Sequence, residues 1–100
     1  MAVKIIMTWD ISQENEQKYF EFIINEFIPG VQKLGFHPLD AWATVYGDYP
    51  QIQVGMIAVD IEDAQRMLDT VEWSVLQDKL LEFIDGFSYK IVPARTGFQF

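Results

Sequence analysis

The chain has 100 residues, half of them apolar, with no cysteine and a formal charge of −8 at pH 7. That length makes one domain, 1–100, with a single core, and the apolar content is too high for a disordered chain. The lack of cysteine removes disulfides, thiolate metal ligands and cysteine nucleophiles together.

The seven basic residues are scattered, whereas nucleic acids and anionic membranes are bound by clustered lysine or arginine. No stretch is apolar for long enough to span a bilayer. The first residues, "MAVKIIMTWD", lack the length and cleavage site of a signal peptide. The expectation is a cytoplasmic protein with no nucleic-acid partner and no membrane partner.

Six elements follow in chain order. "VKIIMTW" (3–9) alternates, with Val3, Ile5, Met7 and Trp9 on one face and Lys4, Ile6 and Thr8 on the other, which predicts a strand. Asp10 or Ser12 can cap the helix behind it, and Asp10 with Gln13 has capping-box spacing. Phe20, Ile23, Ile24, Phe27, Ile28, Val31 and Leu34 recur at helical steps and predict one apolar stripe. Pro29 lacks a backbone donor and should kink that helix, and Gly35 should stop it.

"GDYP" (47–50) carries turn residues between two alternating runs, so 40–46 and 51–59 are predicted to form a hairpin. A loop centred on Asp48 and Tyr49 sets Thr44 opposite Gln53, Ala43 opposite Val54 and Trp42 opposite Gly55. One face is then small and apolar (Ala41, Ala43, Val45, Ile52, Val54, Met56, Ala58), fit to receive helices. The other holds Trp42, Thr44, Tyr46, Gln51, Gln53, Gly55 and Ile57.

In "IEDAQRMLDTVEWSVLQDKLLEFI" the apolar phase runs through Ala64, Met67, Leu68, Val71 and Val75. It shifts near Thr70–Trp73 and resumes at Leu76, Leu80, Phe83 and Ile84, which predicts two short helices or one bent one. Gly86 is expected to end the helix, and "FSYKIVPA" (87–94) makes a last strand. Pro93 within it suits an edge position.

The order β-α-β-β-α-β predicts an α+β, ferredoxin-like fold: a four-stranded antiparallel sheet with both helices on one face. The far face would carry Ile6, Trp42, Tyr46 and Ile57. Each such side chain is worth roughly 1.5–3 kcal/mol when fully buried, which favours a cover. The simplest cover is a second copy about a twofold axis, a homodimer through the Trp42/Tyr46 sheet face.

The element order, the hairpin "YGDYPQIQVGMIAVD" and the helical stretch "EDAQRMLDTVEWSVLQDKLLEF" resemble the dimeric α/β-barrel superfamily, most nearly its antibiotic-biosynthesis-monooxygenase and NIPSNAP-like groups. The resemblance spans nearly the whole chain and is one of layout and hydrophobic pattern. It implies two sheets packed face to face in a dimeric α/β barrel, with a pocket between each sheet and its helices. Members include cofactor-free monooxygenases, haem-degrading enzymes, isomerases and cyclases. Haem-degrading and monooxygenase members typically have an asparagine on the first strand, and often an aromatic or histidine pattern in the second helical region. This chain has no asparagine on its first strand, and "RMLDTVEWS" offers Trp73 without a histidine, so no cofactor is expected.

His37 is the single histidine and titrates near neutrality without help. With Asp40 as an orienting partner it is a candidate general base, with Tyr46 a second proton-handling group; the plainer reading is a loop histidine bonded locally. Asp40 and Asp48 form no recognised metal spacing with it. Trp9, Trp42, Tyr46 and Tyr89 can line an aromatic pocket, with Thr44 or Gln53 orienting a flat ligand; Trp42 and Tyr46 equally suit interface anchors. Arg95 suits an ion pair, and Glu62 with Arg66 an ordinary helix-surface pair.

Three functional readings stand. One is a homodimer that binds a small, largely apolar or aromatic molecule. Another is a cofactor-independent monooxygenase, isomerase or cyclase acting on an aromatic or polyketide-like substrate. The last is a purely structural dimerisation module.

Overall fold

A computed structural model describes residues 1–44 and 51–94, with the side chains of Asn15, 37–44 and Gln51 outside that description. The elements are β1 (Val3–Ile11), a 3-10 turn (Gln13–Asn15), α1 (Glu16–Phe22), a π-helical turn (Ile23–Phe27) and α2 (Ile28–Lys33). They continue with β2 (His37–Thr44), β3 (Gln51–Ala58), α3 (Ile61–Leu68), α4 (Val71–Leu81) and β4 (Ile84–Pro93). The strands form one antiparallel sheet in the order β2-β3-β1-β4.

Alternation decides the faces. Val3, Ile5, Met7, Trp9 and Ile11 are buried, and the residues between them are half-buried. The buried set joins Val54, Met56 and Ala58 of β3 and the inner sides of the helices in one core. The strand runs two residues beyond its predicted end because Asp10 and Ile11 pair with Asp85 and Ile84. Asp10 therefore caps nothing, and Ser12 starts the helix without a side-chain cap bond.

The first helical region departs from the predicted stripe. Tyr19, Phe22, Phe27 and Val31 are buried, whereas Phe20, Ile24 and Ile28 are exposed. The cause is the π turn, in which Ile28 N–H donates to the Ile23 carbonyl, five residues back. One extra residue in the turn moves the inward phase from Phe22 to Phe27. It sits immediately before Pro29, whose missing N–H and ring an undisturbed α-helix does not accommodate. The kink expected at Pro29 takes this form.

Gly35 does stop the helix. With φ of +93° it allows Phe36 N–H to reach the Val31 carbonyl (2.9 Å) and Gly35 N–H to reach that of Gln32 (3.1 Å). These two bonds define a Schellman end, and the residue after the glycine, Phe36, is fully buried.

The β2–β3 register is two residues from the predicted one. Thr44 pairs with Gln51, Ala43 with Ile52 and Trp42 with Gln53, so the connection spans 45–50. Parity survives a two-residue slip, and Ile52, Val54, Met56 and Ala58 stay on the helix side. A register shift between Pro38 and Asp40 then re-phases the start of β2. The predicted turn residues Gly47, Asp48, Tyr49 and Pro50 lie outside the described residues, as do Val45 and Tyr46.

The later helical stretch divides as its phase shift implied. Asp60 caps α3 by accepting from Asp63 N–H (2.7 Å), and Thr70 caps α4 by accepting from Trp73 N–H (3.1 Å). Trp73 takes the inward place predicted for Val71 and Val75, both of which are exposed. The helix ends at Leu81, and Ile84 belongs to β4, opposite Ile11. Gly86 is thus no helix stop. Its φ of +65° lies where the β1–β4 register shifts between Thr8 and Asp10, a bulge that needs a left-handed residue. Pro93 is in an edge strand, opposite Val3.

Candidate functional site

Two surfaces flank β1. The first is the sheet face turned away from the helices. Four cross-strand rows of β4, β1 and β3 make it: Val92–Lys4–Ile57, Lys90–Ile6–Gly55, Ser88–Thr8–Gln53 and Asp85–Asp10–Gln51. β2 adds His37 to the first row, Asp40 to the second, Trp42 to the third and Thr44 to the fourth by backbone register. Ile6 and Ile57 are diagonal neighbours, half-buried, as is Val92. Thr8 Oγ1 and Ser88 Oγ lie 3.0 Å apart and share a hydrogen bond across the strands.

The second surface is the outer margin of an aromatic wedge between sheet and helices. Trp9 is its centre, 1% exposed. Its Nε1–H donates to Tyr19 Oη at 2.9 Å. Its ring meets Phe27 edge-on (5.9 Å, 79°) and stacks near Phe87 (6.1 Å, 22°). Phe87 in turn contacts Tyr89 (6.4 Å), which is 49% exposed. Burial raises the Tyr19 hydroxyl above its ordinary pKa of 10.0, and the bond from Trp9 partly opposes that. Tyr19 is therefore a neutral phenol at physiological pH.

Trp9 and Tyr89, both predicted ligand contacts, are thus joined through Phe87. Trp9 itself is a core side chain with its polar atom already bonded, and its contribution is to back the exposed ring. Gln53 lies on the open face, half-buried, between Thr8 and the backbone of Trp42. Trp42 and Thr44 share its register parity. His37 begins β2 opposite Ile57, four rungs of the ladder from Trp42, counting Asp40 and Ala41. Tyr46 and Arg95 lie outside the described residues. Sequence reasoning missed Tyr19, Phe87 and Ser88. The signal for Phe87 was its two-residue spacing from Tyr89, which puts both on one strand face.

Among the described residues no group of three His, Asp or Glu side chains converges as a metal site. No helix among them is long and apolar enough to cross a membrane.

No family model matches the chain, and no curated protein matches it in sequence. Solved structures do match it in fold. A NIPSNAP family protein from Agrobacterium tumefaciens C58 superposes with a TM-score of 0.73 at 13% identity, over 96% of this chain and 95% of that one. A putative antibiotic biosynthesis monooxygenase from Nitrosomonas europaea gives 0.71 at 10% identity, over 95% and 91%. An EthD family protein from Bacillus halodurans C-125 gives 0.69 at 20% identity, over 95% and 100%. The chain has the α+β, ferredoxin-like fold of these NIPSNAP and antibiotic-biosynthesis-monooxygenase-like structures.

Proposed function

We propose that the chain works as a homodimer, its two sheets facing each other as a dimeric α/β barrel, and binds a small, largely apolar or aromatic molecule. The observation that carries this reading is a sheet face that no helix among the described residues covers. Ile6, Ile57 and Val92 lie there, on the side opposite a core that already contains the inner faces of the helices. Apolar side chains gathered on one sheet face, away from the core, favour a partner surface. The resemblance in fold to NIPSNAP and monooxygenase-like structures supports the same reading.

The groups proposed to meet the ligand are Trp42, Thr44, Gln53 and Tyr89, with Trp9 behind Tyr89. If the bound molecule is turned over, His37 and Tyr46 are the groups proposed to move its proton. Sedimentation equilibrium tests the assembly. The wild type should give twice the 11.6 kDa chain mass, and Ile6→Asp should give the single mass. A wild type that sediments as a monomer at micromolar concentration overturns the dimer. Native mass spectrometry of freshly purified dimer tests the ligand. A small adduct that is lost on organic extraction, and that restores quenching of tryptophan emission when added back, supports it. Protein that carries no adduct and whose emission ignores flat apolar probes leaves dimerisation as the function.

A further inference from the structure

The helix layer presents an apolar row of its own. Phe20, Ile24 and Ile28 are exposed, Ile24 to 66%. In an α-helix a four-residue step overshoots a full turn by about 40°, so a row at such steps winds around the axis. In the π turn over Ile23–Phe27 each turn takes in an extra residue, and the step from Ile24 to Ile28 falls short of a full turn instead. The two drifts oppose each other, and the row runs nearly parallel to the helix axis over about 12 Å. Phe20 at its head is held in place, because its ring meets Tyr19 edge-on (5.1 Å, 71°) and Tyr19 is bonded to Trp9. Beside Phe20 and Ile24 lies a shallow crevice lined by Glu16, Gln17, Glu21 and Asn25. Glu14, Lys18 and Glu21 line the adjoining surface, so the near rim (Glu14, Glu16, Glu21 and Lys18) carries three carboxylates against one ammonium. Among the described residues neither Glu16 nor Glu21 has an ion pair. The start of α1 accounts for Glu16, whose charge complements the helix dipole, but Glu21 lies beyond the first turn, where that effect has faded.

We infer that this ridge docks an amphipathic helix of another protein, one whose apolar stripe is flanked by lysine or arginine. The inference does not rest on the dimer proposed above, which uses the other side of the sheet. An axis-parallel row of three apolar side chains, each about one turn from the next, fits a helix laid alongside at a small crossing angle, with apolar anchors at three- and four-residue steps. A row already fixed on a helix and backed by Tyr19 loses little freedom when it is covered. Charge decides the kind of helix. Glu16 and Glu21 stand at the crevice with no cation among its lining residues, so flanking lysines or arginines satisfy them and flanking carboxylates are repelled. The same rim disfavours a second copy docked through this ridge, which sets Glu16 and Glu21 of one chain against those of another in a protein of formal charge −8. It also repels an anionic membrane surface.

A pair of dye-labelled model peptides tests this. Each is about five helical turns long with leucines along one face, and the remaining positions carry lysine in one and glutamate in the other. Fluorescence anisotropy should show the leucine–lysine peptide binding the wild type at least about tenfold more tightly than the leucine–glutamate peptide. Ile24→Ser and Ile28→Ser keep the charge and each remove one apolar anchor, and each should weaken binding of the leucine–lysine peptide about tenfold. Glu21→Gln should weaken it about threefold and reduce its dependence on salt. Circular dichroism confirms that each variant is folded. Equal binding by the wild type and both ridge variants overturns the inference, since the acidic surface as a whole then takes up the peptide. Equal binding of the two peptides overturns it as well, because charge then selects nothing. A wild type that sediments as a species larger than a dimer, and that Ile24→Ser returns to the smaller mass, shows a second copy on the ridge and overturns it too.

Discussion

Trp9 and Tyr19 show what one buried polar contact costs and secures. Both rings are almost fully buried, at 1% and 3% exposure, so the indole N–H and the phenol oxygen are out of reach of bulk water and must meet each other. Replacing Tyr19 by Phe keeps the ring and strands the Trp9 N–H, which should cost roughly 1–3 kcal/mol in urea denaturation. The same variant carries a pH signature. The raised pKa means the folded chain holds the Tyr19 proton more tightly than the unfolded chain does. That contribution is complete below about pH 10 and declines as pH rises above it, because the unfolded phenol ionises first. Tyr19→Phe should therefore remove part of the fall in stability expected of the wild type as pH rises above about 10. An identical alkaline limb in both proteins would show that burial does not hold the Tyr19 proton more tightly in the folded chain. Nothing in the sequence around "KYFEF" singles out Tyr19 over Phe20. The choice is made by the phase of a helix that starts later than its cap signals suggest, and by a donor on another element.

At the scale of elements, the sequence was legible wherever a pattern was local. The period of two in β1, the glycine stop at 35 and the phase break near Thr70 all correspond to observed features. What was not legible depends on partners distant in sequence. The π turn is a response to Pro29 that spreads over five residues, and it turns a single apolar stripe into a buried row and an exposed row. The hairpin's faces followed from apolar parity, but its register depended on a connection whose length parity cannot count. Of the candidate site, the open face with Ile6 and Ile57 was visible from alternation, whereas the Thr8–Ser88 pair needed the β1–β4 ladder, which joins residues eighty positions apart. The Schellman end gives the element-scale prediction. An alanine at position 35 must hold a φ of +93°, and its Cβ would sit 3.4 Å from Met67 Sδ. The left-handed penalty alone is about 1–2 kcal/mol. Gly35→Ala should lower stability by at least that amount in chemical denaturation without altering the mid-strand contacts of β1. A neutral effect would mean that the helix end can re-form without the left-handed residue.

The whole molecule is thin in one direction. Its extents are 40 × 32 × 19 Å, and the shortest is that of one sheet and one layer of helices. A two-layer domain of this size hides a modest share of its surface, so a sheet face left open is apolar area that folding alone does not use. If the dimer supplies the missing cover, unfolding and dissociation are one event, and stability acquires a dependence on protein concentration. A hundredfold rise in concentration then adds about 2.7 kcal/mol per dimer, by the same mass-action term that governs any ligand. For a pair of chains of this length, that corresponds to a rise in Tm of roughly 5–10 °C. Scanning calorimetry across such a range should show the shift for the wild type. Ile6→Asp, which places a carboxylate in the middle of the open face beside Gly55 and Lys90, should unfold at a lower temperature that does not move with concentration. A wild-type Tm that stays fixed over the same range would mean that each chain is stable with its face open.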